Sequence, residues 1–314
     1  MDIFSIILTI TGLALFEIIS SIDNAVINAE VLSKMGPKPR RWFLLYGIII
    51  AVFGVRFILP MFLLWASNPS IGVVDLFSSM FSDDPKVAEA VEQSSPFLLI
   101  AGGIFLIFLF FHWIFLEPKR FGLVGEKFIY SQGIWFYTVV SVLLLLISWY
   151  AMQINPMMAF AAVVGSTAFF IVHGFKQNAE LKEKELLEGS GSSNMSDLSK
   201  LMYLEVIDAT FSIDGVVGAF AFTLFVPLIL IGNGIGALVV REITIRNIES
   251  IKKYAFLKNG AMYSIFFLGS IMILDSFAID IPSFVSPVIT FSCIGFFLWK
   301  SHLEMNPKAG KTKI

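Results

Sequence analysis

Glu17-Ile18-Ile19-Ser20-Ser21-Ile22-Asp23-Asn24 and Asp208-Ala209-Thr210-Phe211-Ser212-Ile213-Asp214-Gly215 share one pattern. In each, an acid is followed six positions later by the aspartate of a Ser-Ile-Asp triplet, and the surroundings are apolar. Glu205 adds another acid one helical turn before Asp208. A carboxylate inside a membrane span is expensive, so it is normally paired, hydrated or bound to a cation. Here the expense is met twice. The pattern predicts an all-α polytopic membrane protein of duplicated build, with an acidic cation site between its halves.

Composition supports the membrane reading. Hydrophobic residues make up 57% of the chain and charged residues 15%, and mean hydropathy is +0.82, well beyond a typical soluble domain. Phe occurs 33 times, which suits lipid-facing surface better than a small soluble core. Cys293 is the only cysteine, which excludes an intrachain disulfide and a thiolate cluster. The first residues lack the basic stretch and small-residue cleavage site of a signal peptide, so the first apolar run is expected to be a retained span.

Runs long enough to cross a bilayer, about 17–25 residues each, fall near 5–32, 42–66, 96–116, 134–153, 156–175, 201–226, 228–247, 258–277 and 284–302. That predicts nine transmembrane helices. Asn155-Pro156 makes the fourth and fifth a tight hairpin, and Pro227 divides the sixth from the seventh. Segments 34–41, 117–133, 176–200, 242–258 and 300–314 hold 19 of the 22 Lys and Arg residues. With nine spans these basic segments all fall on one side, the cytoplasmic one by the positive-inside rule. The N-terminus and the acidic loop 67–95 then face outward, and the C-terminus is cytoplasmic, in a cell (inner or plasma) membrane.

This topology runs the two triplets in opposite directions. Gly47 precedes Arg56 by nine residues, Gly232 precedes Arg241 by nine, and a valine stands before each arginine. An inverted repeat with polar residues near the midplane is the usual build of secondary transporters. The expected division is a first membrane repeat with its extracytoplasmic loop over 1–133, an additional helical hairpin over 134–175, a cytoplasmic linker over 176–200 and a second repeat over 201–314.

On a helix Glu205 and Asp208 share a face, as do Asp208 and Ser212, or Glu17 and Ser21. Glu17 and Asp23 do not; six residues leave them about 120° apart. Either the helix breaks at the triplet or the two acids have different roles. Asn24 and Gly215, which follow the aspartates, tolerate a break that would free backbone carbonyls. Carboxylate, amide, hydroxyl and carbonyl oxygens make a hard site suited to Mn²⁺, Mg²⁺ or Ca²⁺, and neither motif holds the His or Cys of a dedicated Zn or Cu site. Asn233, within Gly232-Asn233-Gly234-Ile235-Gly236, adds an oxygen on a helix able to pack closely. The candidate metal ligands are therefore Glu17, Asp23, Asn24, Glu205, Asp208 and Asp214, with Arg56, Arg241 and Asn233 in structural or gating roles.

The bland alternative is a set of interhelical salt bridges. Five acids against Arg56 and Arg241 leave negative charge uncompensated, which a bound cation or protons must supply. His112, His173 and His302 sit near span ends and read as interfacial.

Phe16-Glu17 through Asp23-Asn24-Ala25-Val26 resembles the first signature of the TerC integral membrane family, and Leu204-Glu205 through Asp214-Gly215 resembles its second. Gly232-Asn233 through Val240-Arg241 and Phe256-Leu257-Lys258-Asn259-Gly260 agree with it further. The resemblance covers the first three and last four spans. It implies a membrane protein linked to tellurite resistance and, in characterised relatives, to Mn²⁺ efflux, within a wider transporter grouping that includes lysine exporters. Gly215 stands where that pattern has Ser, and the hairpin 134–175 is additional to its seven spans.

The leading expectation is an exporter of divalent cations, Mn²⁺ above all, with that ion as cargo and no prosthetic group. The alternatives are an exporter of a small organic cation or amino acid, and a non-transporting membrane partner that assembles or metallates other proteins. An enzyme is not expected, since no HExxH, nucleotide loop or nucleophile constellation is present. The expected partners are the bilayer and a divalent ion, with no nucleic acid; a homo-oligomer stays open.

Overall fold

A computed structural model describes residues 2–33, 36–47, 49–50, 54, 56–67, 72, 85–188, 197–246 and 253–305; for some of these, Asp23 and Asn24 among them, only the backbone is described. The described residues form helices and no strands: α1 (Ile3–Ser20), α2 (Ile22–Ser33), α3 (Pro37–Trp42), α4 (Ile58–Ser67), α5 (Pro85–Leu116), α6 (Glu126–Ser131), α7 (Phe136–Ile154), α8 (Pro156–Glu188), α9 (Asp197–Phe211), α10 (Ile213–Ala219), α11 (Val226–Arg246), α12 (Leu257–Ser276) and α13 (Val285–Met305). A π-helical turn, Phe43–Gly47, follows α3, and a 3₁₀ turn, Gly133–Trp135, precedes α7.

Six of the described helical stretches are long and apolar enough to cross a membrane: Ile3–Ser20, Val91–Leu116, Gly133–Ile154, Pro156–Asn178, Val226–Thr244 and Leu257–Ser276. Helices satisfy their backbone groups internally, which is what a hydrocarbon surround demands. Helix α5 is the pillar of the bundle. It packs against α8 and α12, with Ile100, Ile104, Leu106, Phe108 and Trp113 sealed from the surface. Where α5 crosses α12, Gly103 and Gly269 face each other, and a methyl group on either would press on the other's carbonyl at 2.9–3.1 Å. Small residues permit that approach in membranes, where packing rather than apolar burial holds helices together. Helix α7 lies outside α8 and turns Ile134, Tyr137, Leu145, Leu146 and Trp149 outward, as a lipid-facing helix does.

Three stretches depart from continuous spans. The run 5–32 is two helices meeting at Ser21, and 201–226 is broken at Ser212 and leaves helix after Ala219. The breaks therefore fall on the two equivalent serines, three residues before Asn24 and Gly215. Ser212 Oγ donates back to the Asp208 carbonyl at 2.7 Å, a bond that bends helices, and Ser21 Oγ donates to Glu17 Oε1 at 2.8 Å. The run 42–66 includes residues outside those described; among its described parts, Arg56 and Phe57 form a turn between the π-helical segment and α4. Helix α8 continues past residue 175 to Glu188, so the first half of the segment 176–200 is helical.

Candidate functional site

Helices α1 and α9 carry Glu17, Glu205 and Asp208 to one buried centre, which Arg241 of α11 joins and Asp214 of α10 adjoins. Glu17, on α1, is sealed from solvent, with 0% exposure. Its Oε1 accepts bonds from Ser21 Oγ and from two nitrogens of Arg56, with Nε at 2.9 Å. Its Oε2 is buried and has no hydrogen-bond partner among the described residues. Three donors crowd one oxygen of this carboxylate and leave the other bare.

The second motif mirrors the pairing. Arg241 Nη2, on α11, lies 3.3 Å from both oxygens of Glu205 on α9. Its Nη1 donates to the Phe43 carbonyl at 2.6 Å, and the guanidinium lies over the Phe43 ring at 4.2 Å. Asp208 joins the two pairs: its Oδ2 is 4.0 Å from Arg56 Nη1 and 3.8 Å from Arg241 Nη2. An ion pair this deep requires such geometry, since desolvating each charge costs several kcal/mol. Gly47 makes room for it. A methyl group there would collide with Glu205 Oε1 and stand 2.5 Å from Arg241 Nη1.

Asp214, on α10, behaves differently. Its Oδ2 accepts from Lys176 Nζ, on α8, and its Oδ1 is buried with no partner among the described residues. Gly215 beside it faces Glu17: a methyl group on Gly215 would stand 2.7 Å from the bare Oε2 and 3.6 Å from Ser20 Oγ. One partnerless carboxylate oxygen thus faces Gly215, and the residue before that glycine carries another. Asn233, on α11, is also fully buried, with neither amide atom bonded among the described residues. Buried polar atoms in folded proteins nearly always find partners, so a group of exceptions marks where a ligand, ion or water belongs.

Set against the expected ligand set, Glu17, Glu205 and Asp208 come together through the two arginines, and Asp214 adjoins Glu17 through Gly215. The side chains of Asp23 and Asn24 lie outside the described residues. Among the described residues no three His, Cys, Asp or Glu converge as a group able to hold a metal ion. The guanidiniums occupy the oxygens that such a group would use.

Charge bookkeeping from the motifs alone missed Lys176, a third buried cation, supplied by α8. The signal was present. Ala159, Ala162, Ser166 and Phe169 are buried at helical spacing along α8, and continuing that stripe reaches Val172, His173 and Lys176. Ending the hairpin at residue 175 hid it. His112 and His173 are also more buried than expected. Their rings lie 3.9 Å apart between centroids, tilted by 54°, and His112 Nδ1 lies 3.5 Å from Glu117.

The fold and the buried charges define an all-α polytopic membrane protein. The chain belongs to the family described as "Protein of unknown function (DUF475)", whose pattern it matches over residues 22–308. No curated protein and no solved structure matches it.

Proposed function

We propose that the protein is a membrane transporter of cations, exporting divalent metal ions, Mn²⁺ foremost, through the acidic centre. The observation that carries this reading is that two buried carboxylate oxygens, Glu17 Oε2, which faces Gly215, and Asp214 Oδ1, have no partner among the described residues. With all groups ionised, Glu17, Glu205, Asp208 and Asp214 exceed Arg56, Arg241 and Lys176 by one negative charge. A passing cation would neutralise it, and oxygen donors suit a hard ion.

In this reading nine spans form two inverted repeats, with the N-terminus outside, the C-terminus in the cytoplasm and the centre near the midplane. Support comes from the two helix breaks at equivalent serines, and from each motif pairing with the arginine of the following segment. The resemblance to the TerC family adds Mn²⁺ as the favoured cargo. Alternating access would then rock one repeat against the other about the acids.

One observation favours a second cargo class. The ligand on Asp214 in this structure is an alkylammonium, that of Lys176, which is how a small organic cation or amino acid would present itself.

The test is flux into liposomes holding the purified protein, measured for Mn²⁺, Mg²⁺, Ca²⁺, Zn²⁺ and methylammonium. Asp214→Asn and Glu17→Gln should each cut Mn²⁺ flux by at least about tenfold, the equivalent of ~1.4 kcal/mol. Parental flux in Asp214→Asn would remove the centre from the transport path. Methylammonium flux without metal flux would promote the second cargo.

A further inference from the structure

We propose that the Lys176 ammonium is a tethered occupant of the cation position at Asp214, and that α8 thereby regulates access to the centre. The inference rests on the transport reading above and adds what holds the site closed when no cargo is present.

Three features separate this ion pair from the arginine pairs. The first is the type of cation. Arg56 sends two nitrogens to one oxygen of Glu17, and Arg241 is fixed by Glu205, the Phe43 carbonyl and the Phe43 ring. Planar, forked and stacked contacts of that kind are pre-organised and hard to vacate. Lysine offers a compact charge on a flexible four-carbon stem, and its bond to Asp214 is to one oxygen only.

The second feature is what remains beside the ammonium. Asp214 Oδ1 is buried and without a partner among the described residues, so Lys176 satisfies only one oxygen of this carboxylate, and Glu17 Oε2 is likewise without a partner. A residue serving only to neutralise Asp214 would leave no such oxygens. A smaller cation with several coordination positions would satisfy more of them, because divalent ions take oxygens from several sides.

The third feature is a way out. Lys176 lies two residues before the end of the membrane-crossing stretch Pro156–Asn178, and its neighbours Gln177 and Asn178 are exposed. A lysine near a span end can extend its stem so that the charge reaches the interface. Leaving Asp214 therefore requires no unfolding of α8. The hairpin, additional to both repeats, would supply the part that opens and closes the site.

The experiment measures Mn²⁺ affinity by calorimetry on the full-length protein in detergent, and Mn²⁺ flux in liposomes, for Lys176→Met, Lys176→Arg, Asp214→Asn and the double variant Lys176→Met/Asp214→Asn. Removing the tethered charge should tighten Mn²⁺ binding by about tenfold, or ~1.4 kcal/mol, and the double variant should lose that gain. Lys176→Arg keeps the charge and the fold, and should bind Mn²⁺ more weakly and transport it more slowly, because a guanidinium leaves less readily. If Asp214→Asn abolishes flux while both Lys176 variants match the parent in binding and flux, the tethered-occupant idea falls and the transport reading stands. If Asp214→Asn transports at the parental rate, the transport reading falls with it. Should Lys176→Met not fold, the Lys176→Arg comparison alone decides, with equality to the parent overturning the proposal.

Discussion

Two buried carboxylates, Glu17 and Glu126, sit in this protein with opposite degrees of completion. Glu126 begins α6, beyond the end of α5. Its Oε2 accepts the Gly122 N–H at 2.6 Å and Asn259 Nδ2 at 3.3 Å, and its Oε1 accepts the Tyr263 hydroxyl at 2.9 Å. Lys300 Nζ donates to the Gly122 carbonyl, and Asn259 Nδ2 also donates to the Arg120 carbonyl at 3.1 Å. Lys119 caps the carbonyls of Trp113 and Ile114 at the end of α5, and burial pushes its amine down to about 8 against the pull of Glu126 and Glu117. Every oxygen of Glu126 is used, and the bonds tie the 117–126 connection to α12 and α13. Glu17 keeps one oxygen bare. A complete network specifies a structure, whereas an incomplete one keeps capacity for something else. Burial alone would have ranked the two acids equally.

The largest expected effect tests whether the central pairs are nonetheless needed for folding. Arg56→Met removes the partner of a fully buried Glu17. Breaking a buried pair from one side costs about 3–5 kcal/mol, because the remaining charge has nowhere to go. The folded yield and the thermal midpoint in detergent should fall sharply. Partial recovery is expected in Arg56→Met/Glu17→Gln, where no charge is stranded. An Arg56→Met protein as stable as the parent would mean that Glu17 is held neutral or hydrated, and the contrast with Glu126 would lose its basis.

The same logic at the satisfied site gives a smaller number. Tyr263→Phe strips one donor from Glu126 Oε1, and a buried acceptor left unmade costs about 1–3 kcal/mol. The loss should appear in the thermal midpoint, with Mn²⁺ flux per folded molecule unchanged. A selective loss of flux at full stability would move Glu126 into the transport machinery and erase the distinction between the two acids.

The degree to which this was legible in the sequence follows from what each feature depends on. The paired motifs, their buried acids and the arginine one segment later could be read because local spacing fixes them. The Asn155-Pro156 hairpin could be read because proline ends one helix and starts another. The position of the helix breaks could not, since a serine hydroxyl bonded to its i−4 carbonyl, as at Ser212, also occurs at Ser264 and Ser270 within the unbroken α12. Lys176 went unread because a cation at the end of an apolar run is ordinarily an interfacial residue. Only the tertiary approach of α8 to α9 and α10 turns it inward. Glu126 was passed over entirely: nothing local distinguishes it from a solvated acid in a basic loop, and its partners Asn259 and Tyr263 are more than 130 residues away.

The smallest expected effect concerns how the chain delivers Glu126 to its partners. Gly125, the residue before α6, has φ of +100°, the left-handed region that side chains other than glycine seldom adopt. That conformation reverses the chain between Gly122 and Glu126, so that the carboxylate can accept the N–H of the residue four positions before it. No atom outside the immediate backbone lies within 4 Å of where a methyl group on Gly125 would stand, so a substitution there meets backbone strain and no clash. Gly125→Ala should cost about 1–2 kcal/mol on that account. Gly125→Asn should cost less, because asparagine tolerates left-handed backbone better than alanine. The order glycine, asparagine, alanine in thermal stability, with flux equal in all three, is the expected result. Equal stability of the asparagine and alanine variants would mean that the turn can be rebuilt another way. Loss of flux without loss of stability would instead tie this end of the bundle to transport, and the completed network around Glu126 could no longer be read as purely structural.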